Sequence, residues 1–393
     1  MRLEKIYKDY LNNEINIILN YLKESFIEFY GISNKDKIED VFKDLNIIYM
    51  IENKKAIEFN KTISKLENEY KKIKDIIAKE NPKFKEKILI KRVFDNNNDD
   101  TNELKQFLLL LSFNKLCLSK KKNDTSLNII LGHNKKIIPK KYKELITNQL
   151  NHSTIGFSIT YPITSRTIAI RLIESGQIPL HTLIHEINHQ LQKDILSLVK
   201  GYKIDEAITV KGITNKTDDL VNEILNDYCS LDIMQIFLKK YNSIIIYTNY
   251  IEGYIHLDKV SGNAMYKTYN LLKEEIKTRL INGNAHTIRY LIDGNDKYNY
   301  ILLNQLYKKL LDKIKNTTDK NRKFYIPRKK KKELYKYTNN KYITIKNNYN
   351  IYKNYTTNLN NTVDNMINKG QAKKLSLKNN RILKMWYYVV KYF

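Results

Sequence analysis

The sequence predicts an α+β fold, predominantly α-helical, with a small sheet just before one short, chemistry-bearing helix. Apolar residues recur at steps of three and four over most of the 393 residues, the mark of helices that bury one face. Residues 126–175 break this rhythm and turn rich in β-branched side chains, as strands do. The next segment, Pro179-Leu-His-Thr-Leu-Ile-His-Glu-Ile-Asn-His-Gln190, restores helical spacing and holds three of the chain's 7 histidines.

Residues 1–122 read as a helical N-terminal domain. Leu3, Ile6, Tyr10, Leu11, Ile15, Ile18, Leu22, Phe26 and Phe29 form one long stripe, with Gly31 as its stop. A second helix is expected over about Asp36–Met50. Ala56, Phe59, Ile63, Leu66, Tyr70, Ile73 and Ile77 make a heptad seam that Asn81-Pro82 ends. Asp100 and Glu103 form a capping pair for a helix bearing Phe107, Leu108, Leu111 and Leu116. None of this carries recognisable chemistry.

Residues 123–316 read as the domain that does. Leu127–Leu131, Thr154–Tyr161 and Thr167–Ile173 are strand candidates, with a turn at Pro162–Arg166 between the last two. Such a sheet can pair its edge with an extended peptide, or simply cover a core. Pro179 then suits the first turn of a helix. Leu180, Leu183, Ile184, Ile187, Leu191, Ile195 and Leu198 supply its buried stripe, and Gly201 is the expected stop. Within it, His185-Glu186-Ile187-Asn188-His189 spells H-E-x-x-H.

Residues four apart share a helix face, so His185 and His189 can offer two imidazoles to one metal ion. Glu186 lies about 100° round the axis, where it can act as a general base on water. The competing reading is a buried helix with two structural histidines. A catalytic zinc takes a third protein ligand. The next acidic helix, expected to begin near Thr217, puts Glu223 and Asp227 on one face beside Leu220, Ile224, Leu225, Tyr228 and Leu231. Carboxylates so flanked need partners. Glu223 is read as the third zinc ligand. Asp227 is read as the acceptor for the free ring nitrogen of a ligand histidine, His185 being the first choice.

With His185, Glu186 and His189 followed by Asn222-Glu223-x-x-x-Asp227, the chain resembles the gluzincin metallopeptidases. Thermolysin-like enzymes carry a similar Asn-Glu-x-x-x-Asp segment. The longer gap to Glu223, and Leu183-Ile184 ahead of the motif, look more like the clostridial neurotoxin light chains. The resemblance covers two helices and implies a zincin-like catalytic domain. Asn282-Gly-Asn-Ala-His286 is similar to the thermolysin segment that carries an oxyanion-stabilising histidine, which implies that role for His286. Arg289 and Tyr290 are the alternatives, since the light chains use an arginine and a tyrosine. His181 shares the motif's face but is read as a neighbour.

Further on, Ser243–Tyr247 is a short apolar run followed by a Tyr-rich loop, and helices are expected at about 264–280, 287–291 and 298–314. Leu302, Leu306, Leu310 and Ile314 stripe the last of these. From 317 a basic, Tyr/Asn/Lys-rich C-terminal region begins with the run Arg322–Lys332.

The formal net charge is +27, which suits nucleic acid, an acidic membrane surface or an acidic partner. An A/T-rich coding bias, visible in 30 tyrosines and few glycines and prolines, produces the same excess. There is no apolar run long enough for a transmembrane helix, no signal-peptide core, and only Cys117 and Cys229. An intracellular protein is expected, whether cytoplasmic, nuclear or virion-associated, or else one exported without a classical signal. The leading expectation is a zinc metalloendopeptidase acting on a protein or peptide. SprT-like enzymes are a weaker likeness, because they take a third histidine and the next one here is His256. The alternative is a non-catalytic basic protein, bound to nucleic acid or a membrane, whose zinc site is structural or degenerate. The oligomeric state is left open.

Overall fold

The computed structural model describes residues 2–52, 127–132, 155–159, 166–173, 177–192, 220–243, 245–249, 253–282, 288–294, 299–318 and 326–368. The heptad seam at 56–77, the capping pair at 100 and 103, Cys117, His286 and the chain beyond 368 lie outside them.

The long stripe forms helix α1, Arg2–Tyr30, with Ile15, Ile18, Leu22, Phe26 and Phe29 buried. Gly31 stops it at φ +92°, a conformation that a Cβ would strain. A single 3₁₀ turn, Ile32–Asn34, leads into α2, Lys35–Asp44. That helix is shorter than expected. Residues Asn46–Glu52 are instead strand β1. Ile47, Ile48, Tyr49 and Met50 are all buried, and a strand covered on both faces has a continuous apolar run rather than alternation. Periodicity cannot separate such a run from a buried helix.

The other strands fall where the sequence places them: β2 at Leu127–Gly132, β3 at Gly156–Ile159 and β4 at Thr167–Arg171. The sheet order is β2-β1-β4-β3. β1 runs parallel to β4, while β2 and β3 are antiparallel to their neighbours. So a segment assigned to the helical N-terminal region supplies an inner strand of the sheet. β3 is an edge strand among the described residues.

A two-residue strand β5, Ile178–Pro179, then opens directly into α3, Leu180–Leu191. Leu180, Leu183, Ile184, Ile187 and Leu191 are buried as their spacing predicts. α3 does not run on to Gly201. It ends at Leu191, capped where the Gln192 N–H reaches the Asn188 carbonyl at 3.0 Å. Leu198 and Gly201 lie outside the described residues. Helix α4 spans Leu220–Lys240, and β6, Ile246–Tyr247, pairs in parallel with β5.

The chain divides into two compact units, Met1–Gly201 with Cys229–Glu252, and Tyr202–Tyr228 with Gly253–Phe393, and the division falls within α4. In the first unit, buried polar contacts fix α3 against α1 and the C-terminal half of α4. Tyr30 donates its hydroxyl to Asn188 Oδ1 at 2.8 Å, and Asn188 Nδ2 donates to Ser230 Oγ at 3.1 Å. Tyr241 stacks on Tyr21 at 4.7 Å and, with Ser243, donates to Glu14.

The described residues of the second unit form helices: α5 Ile255–Ser261, α6 Ala264–Ile281, α7 Ile288–Asp293, α8 Asn299–Thr318 and α9 Arg328–Asn368. Its polar centre is Asp258. That carboxylate accepts from Tyr228 and Tyr307 at 2.8 and 2.9 Å and from the Met265 and Tyr266 amides at 2.9 and 2.8 Å. α8 buries Tyr300, Leu303, Tyr307 and Leu310, whereas Leu302 is 37% exposed. Of the expected stripe, Leu310 is buried and Leu306 and Ile314 are half-buried, so the buried face is rotated away from Leu302 toward Tyr300, Leu303 and Tyr307. Two tyrosines, Tyr300 and Tyr307, belong to the buried face.

α5 and α9 replace what the sequence suggested was loop and biased tail. α9 is held on its neighbours by Thr338 and Ile345, both fully buried. At Gly294, φ +51°, a Cβ would come within 2.6 Å of the Asn348 side chain, so α9 packs on bare backbone there. The fold is α+β and predominantly helical. Among the described residues, no helix is long and apolar enough to cross a membrane.

Candidate metal centre

The amphipathic stripe of α3 turns its other face toward a polar cluster. His185 Nε2 and His189 Nε2 approach to 2.9 Å, with rings steeply inclined at 77°. His189 turns its second nitrogen, Nδ1, to Gln192 Oε1 at 3.2 Å. A proton on Nδ1 would satisfy this contact and leave the Nε2 lone pair for a ligand role. Gln192 was not picked out from the sequence, although a residue three on from His189 is its natural neighbour.

Glu223, in the first turn of α4, completes the group. One ligand atom from each of His185, His189 and Glu223 lies within 4.8 Å of the others. A carboxylate in a first turn is favoured by the helix dipole. Around a tetrahedral zinc with bonds of about 2.0–2.1 Å, ligand atoms stand about 3.3 Å apart. The histidine pair lies just inside that value. Among the described residues the group offers two imidazole nitrogens and one carboxylate oxygen. His185 is buried while His189 and Glu223 are half-buried, so the group reaches solvent on one side. The donor set fits a metal ion; its chemistry alone does not choose the element.

Glu186 is buried one step round α3. Against it lies the edge strand: a Cβ placed on Gly156 would stand 2.8 Å from Glu186 Oε1 and 2.5 Å from Thr182 Cγ2. Only a glycine lets β3 come so close to the carboxylate. Glycine inside a strand signals such an approach, and that signal was present in the sequence. Gln190 steadies the same strand through Ser158 and reaches the Thr167 carbonyl at 3.4 Å.

Asp227 is buried, and its Oδ2 accepts from the Ile255 amide at 3.3 Å, tying α4 to the start of α5. His181 is buried, its ring centroid 6.4 Å from that of His185. It and His256 stand outside the metal group, as expected. Arg289 Nε pairs with Asp293 Oδ2 at 3.0 Å on its own helix, and Tyr290 is 61% exposed. Behind the site, burial and the neighbouring Cys229 push the Tyr30 pKa well above its ordinary value, keeping the hydroxyl a donor to Asn188. Comparison with protein-family models, curated proteins and solved structures finds no match, so the functional reading rests on these side chains.

Proposed function

We propose that the chain is a zinc-dependent metalloendopeptidase. The observation that carries the reading is the convergence of His185, His189 and Glu223 from two helices, within 4.8 Å. These three residues would hold the metal. When bound, zinc supplies Lewis-acid polarisation of a scissile carbonyl and acidifies water. Glu186 takes the proton of the attacking water and delivers it to the leaving amine. Its burial beneath β3 keeps it away from bulk water. Asp227 is assigned to orient His185. Stabilisation of the oxyanion is assigned to His286, with Arg289 and Tyr290 as alternatives.

The register of β3 supports a peptide substrate. Arg171 N–H bonds the Ile155 carbonyl, and Gly156 pairs with Ile170. In an antiparallel pair, hydrogen-bonded and non-bonded positions alternate. Gly156 and Ser158 therefore turn their peptide groups away from β4, toward the edge. An extended peptide pairing there runs alongside Glu186.

The test is Glu186→Gln on a degenerate peptide library. The variant retains its metal and loses hydrolysis by about 100-fold or more. A fully active variant removes Glu186 from the mechanism.

A further inference from the structure

The first turns of α9 carry a charge arrangement that the peptidase reading does not use. Arg328, Lys329, Lys330, Lys331, Lys332 and Lys336 are six cations against one carboxylate, Glu333, over residues 326–338. Every residue from Pro327 to Glu333 is exposed. Among the described residues, no carboxylate forms an ion pair with Arg328 or Lys329–Lys332. Consecutive helical residues step about 100°, so Arg328–Lys332 place a cation on every side of the helix. They also crowd the positive end of the helix dipole, where anions are favoured and cations are not. The first turn contains no acidic residue. In isolation this is an unfavourable helix start, and a polyanion relieves it.

A cylinder charged on all sides matches a groove with a phosphate strand along each wall. A flat membrane meets only one side of it. Surface-lying helices also need apolar residues among their cations to insert, and the first exposed aliphatic here is Ile343, beyond Thr338. An α-helix is about 10–12 Å across and the B-form major groove about 12 Å wide. The deep, narrow major groove of A-form RNA does not admit one. We propose that the N-terminal turns of α9 form a docking element for B-form duplex DNA, with Arg328–Lys332 and Lys336 on its phosphates. Lysine ammonium groups are point charges without a bidentate fork, so binding follows phosphates and carries little sequence preference. Lys331 lies 5.5 Å from the Tyr335 ring centroid, and Tyr335 and Tyr337 are 37% and 39% exposed, adding hydroxyl donors. This inference does not depend on the zinc site.

The experiment uses the full chain and fluorescence anisotropy with a labelled duplex of about two helical turns, over a series of salt concentrations. One variant combines Lys329→Gln, Lys330→Gln, Lys331→Gln and Lys332→Gln. A second removes the same charge from exposed positions elsewhere in the unit: Lys308→Gln, Lys309→Gln, Lys313→Gln and Lys353→Gln. The first loses at least tenfold in affinity, and its log–log salt slope becomes shallower by about 3.6, near 0.9 for each of the four lost phosphate contacts. The second loses less than twofold. Because the first variant relieves like charge at a helix start, its thermal midpoint does not fall, which excludes misfolding as the cause. Equal losses in the two variants overturn the proposal, as does no loss in the first. Tighter binding of the first-turn lysines to duplex RNA, or to vesicles containing phosphatidylserine, overturns it too.

Discussion

Of the three proposed ligands, His189 depends most on a neighbour. Its Nδ1 lies 3.2 Å from Gln192 Oε1, a contact that fixes the orientation of the ring. Loss of such an outer hydrogen bond lowers metal affinity about 10–100-fold. Gln192→Ala is expected to show that loss in chelator competition, and Gln192→Glu to recover it, because a carboxylate is the stronger acceptor. Unchanged affinity in both variants would make Gln192 a helix cap and nothing more. The grouping of His185, His189 and Glu223 was legible in the sequence, since the H-E-x-x-H spacing and the carboxylate pair on the next helix each follow from a pitch of 3.6 residues. Gln192 and Gly156 were passed over because each acts through a contact, and a contact across elements has no period. Asp227, assigned from the sequence to His185, has a described hydrogen bond to the Ile255 amide.

At the scale of elements, the decisive approach is that of β3 to α3. Gly156 lets the strand backbone sit against Glu186, and a Cβ there would stand 2.8 Å from Glu186 Oε1. Gly156→Ala must push the carboxylate or the strand aside, an overpacking cost of about 1–3 kcal/mol. The expected outcome is a folded variant with metal affinity retained and peptide hydrolysis reduced at least tenfold, read from paired metal titration and cleavage assays. Full activity would mean that β3 does not govern Glu186. Strands β2, β3 and β4 were readable because they carry β-branched residues between turn signals. β1 was not, because four consecutive buried apolar residues fit either structure. α9 was missed because its inward face, with Thr338 and Ile345 buried and Leu334, Lys341 and Asn348 half-buried, is mostly polar. Its helical spacing was present, but the hydrophobic signal was weak.

The molecule as a whole is rich in buried phenols, and this sets its behaviour in alkali. Burial raises the pKa of Tyr30, Tyr49 and Tyr307, and of Tyr241, which also donates to Glu14. The folded state thus keeps these protons after the unfolded chain, near the ordinary value of 10.0, has begun to release them. Unfolding then releases protons, and stability falls as pH rises above about 10. Asp258, raised from 3.8 chiefly by burial, acts with the same sign at the acid end. Its contribution is greatest below its unfolded value and declines as pH rises through the interval up to its folded one. Tyr49 offers the cleanest check, because its buried hydroxyl has no hydrogen-bond partner among the described residues. Tyr49→Phe is expected to raise stability by about 1 kcal/mol and to flatten the alkaline decline, both measured by urea unfolding between pH 8 and 11. A destabilised variant would show that the hydroxyl is satisfied after all.

All of the proposed chemistry presumes that side chains from α3 and α4 share one ion. The direct measurement is tightly bound zinc per chain, by mass spectrometry of metals after exhaustive dialysis, on the wild type and on Glu223→Ala. The account predicts one zinc per wild-type chain and its loss from the folded variant. Zinc retained at full stoichiometry by Glu223→Ala, or none in the wild type after zinc loading, would contradict it.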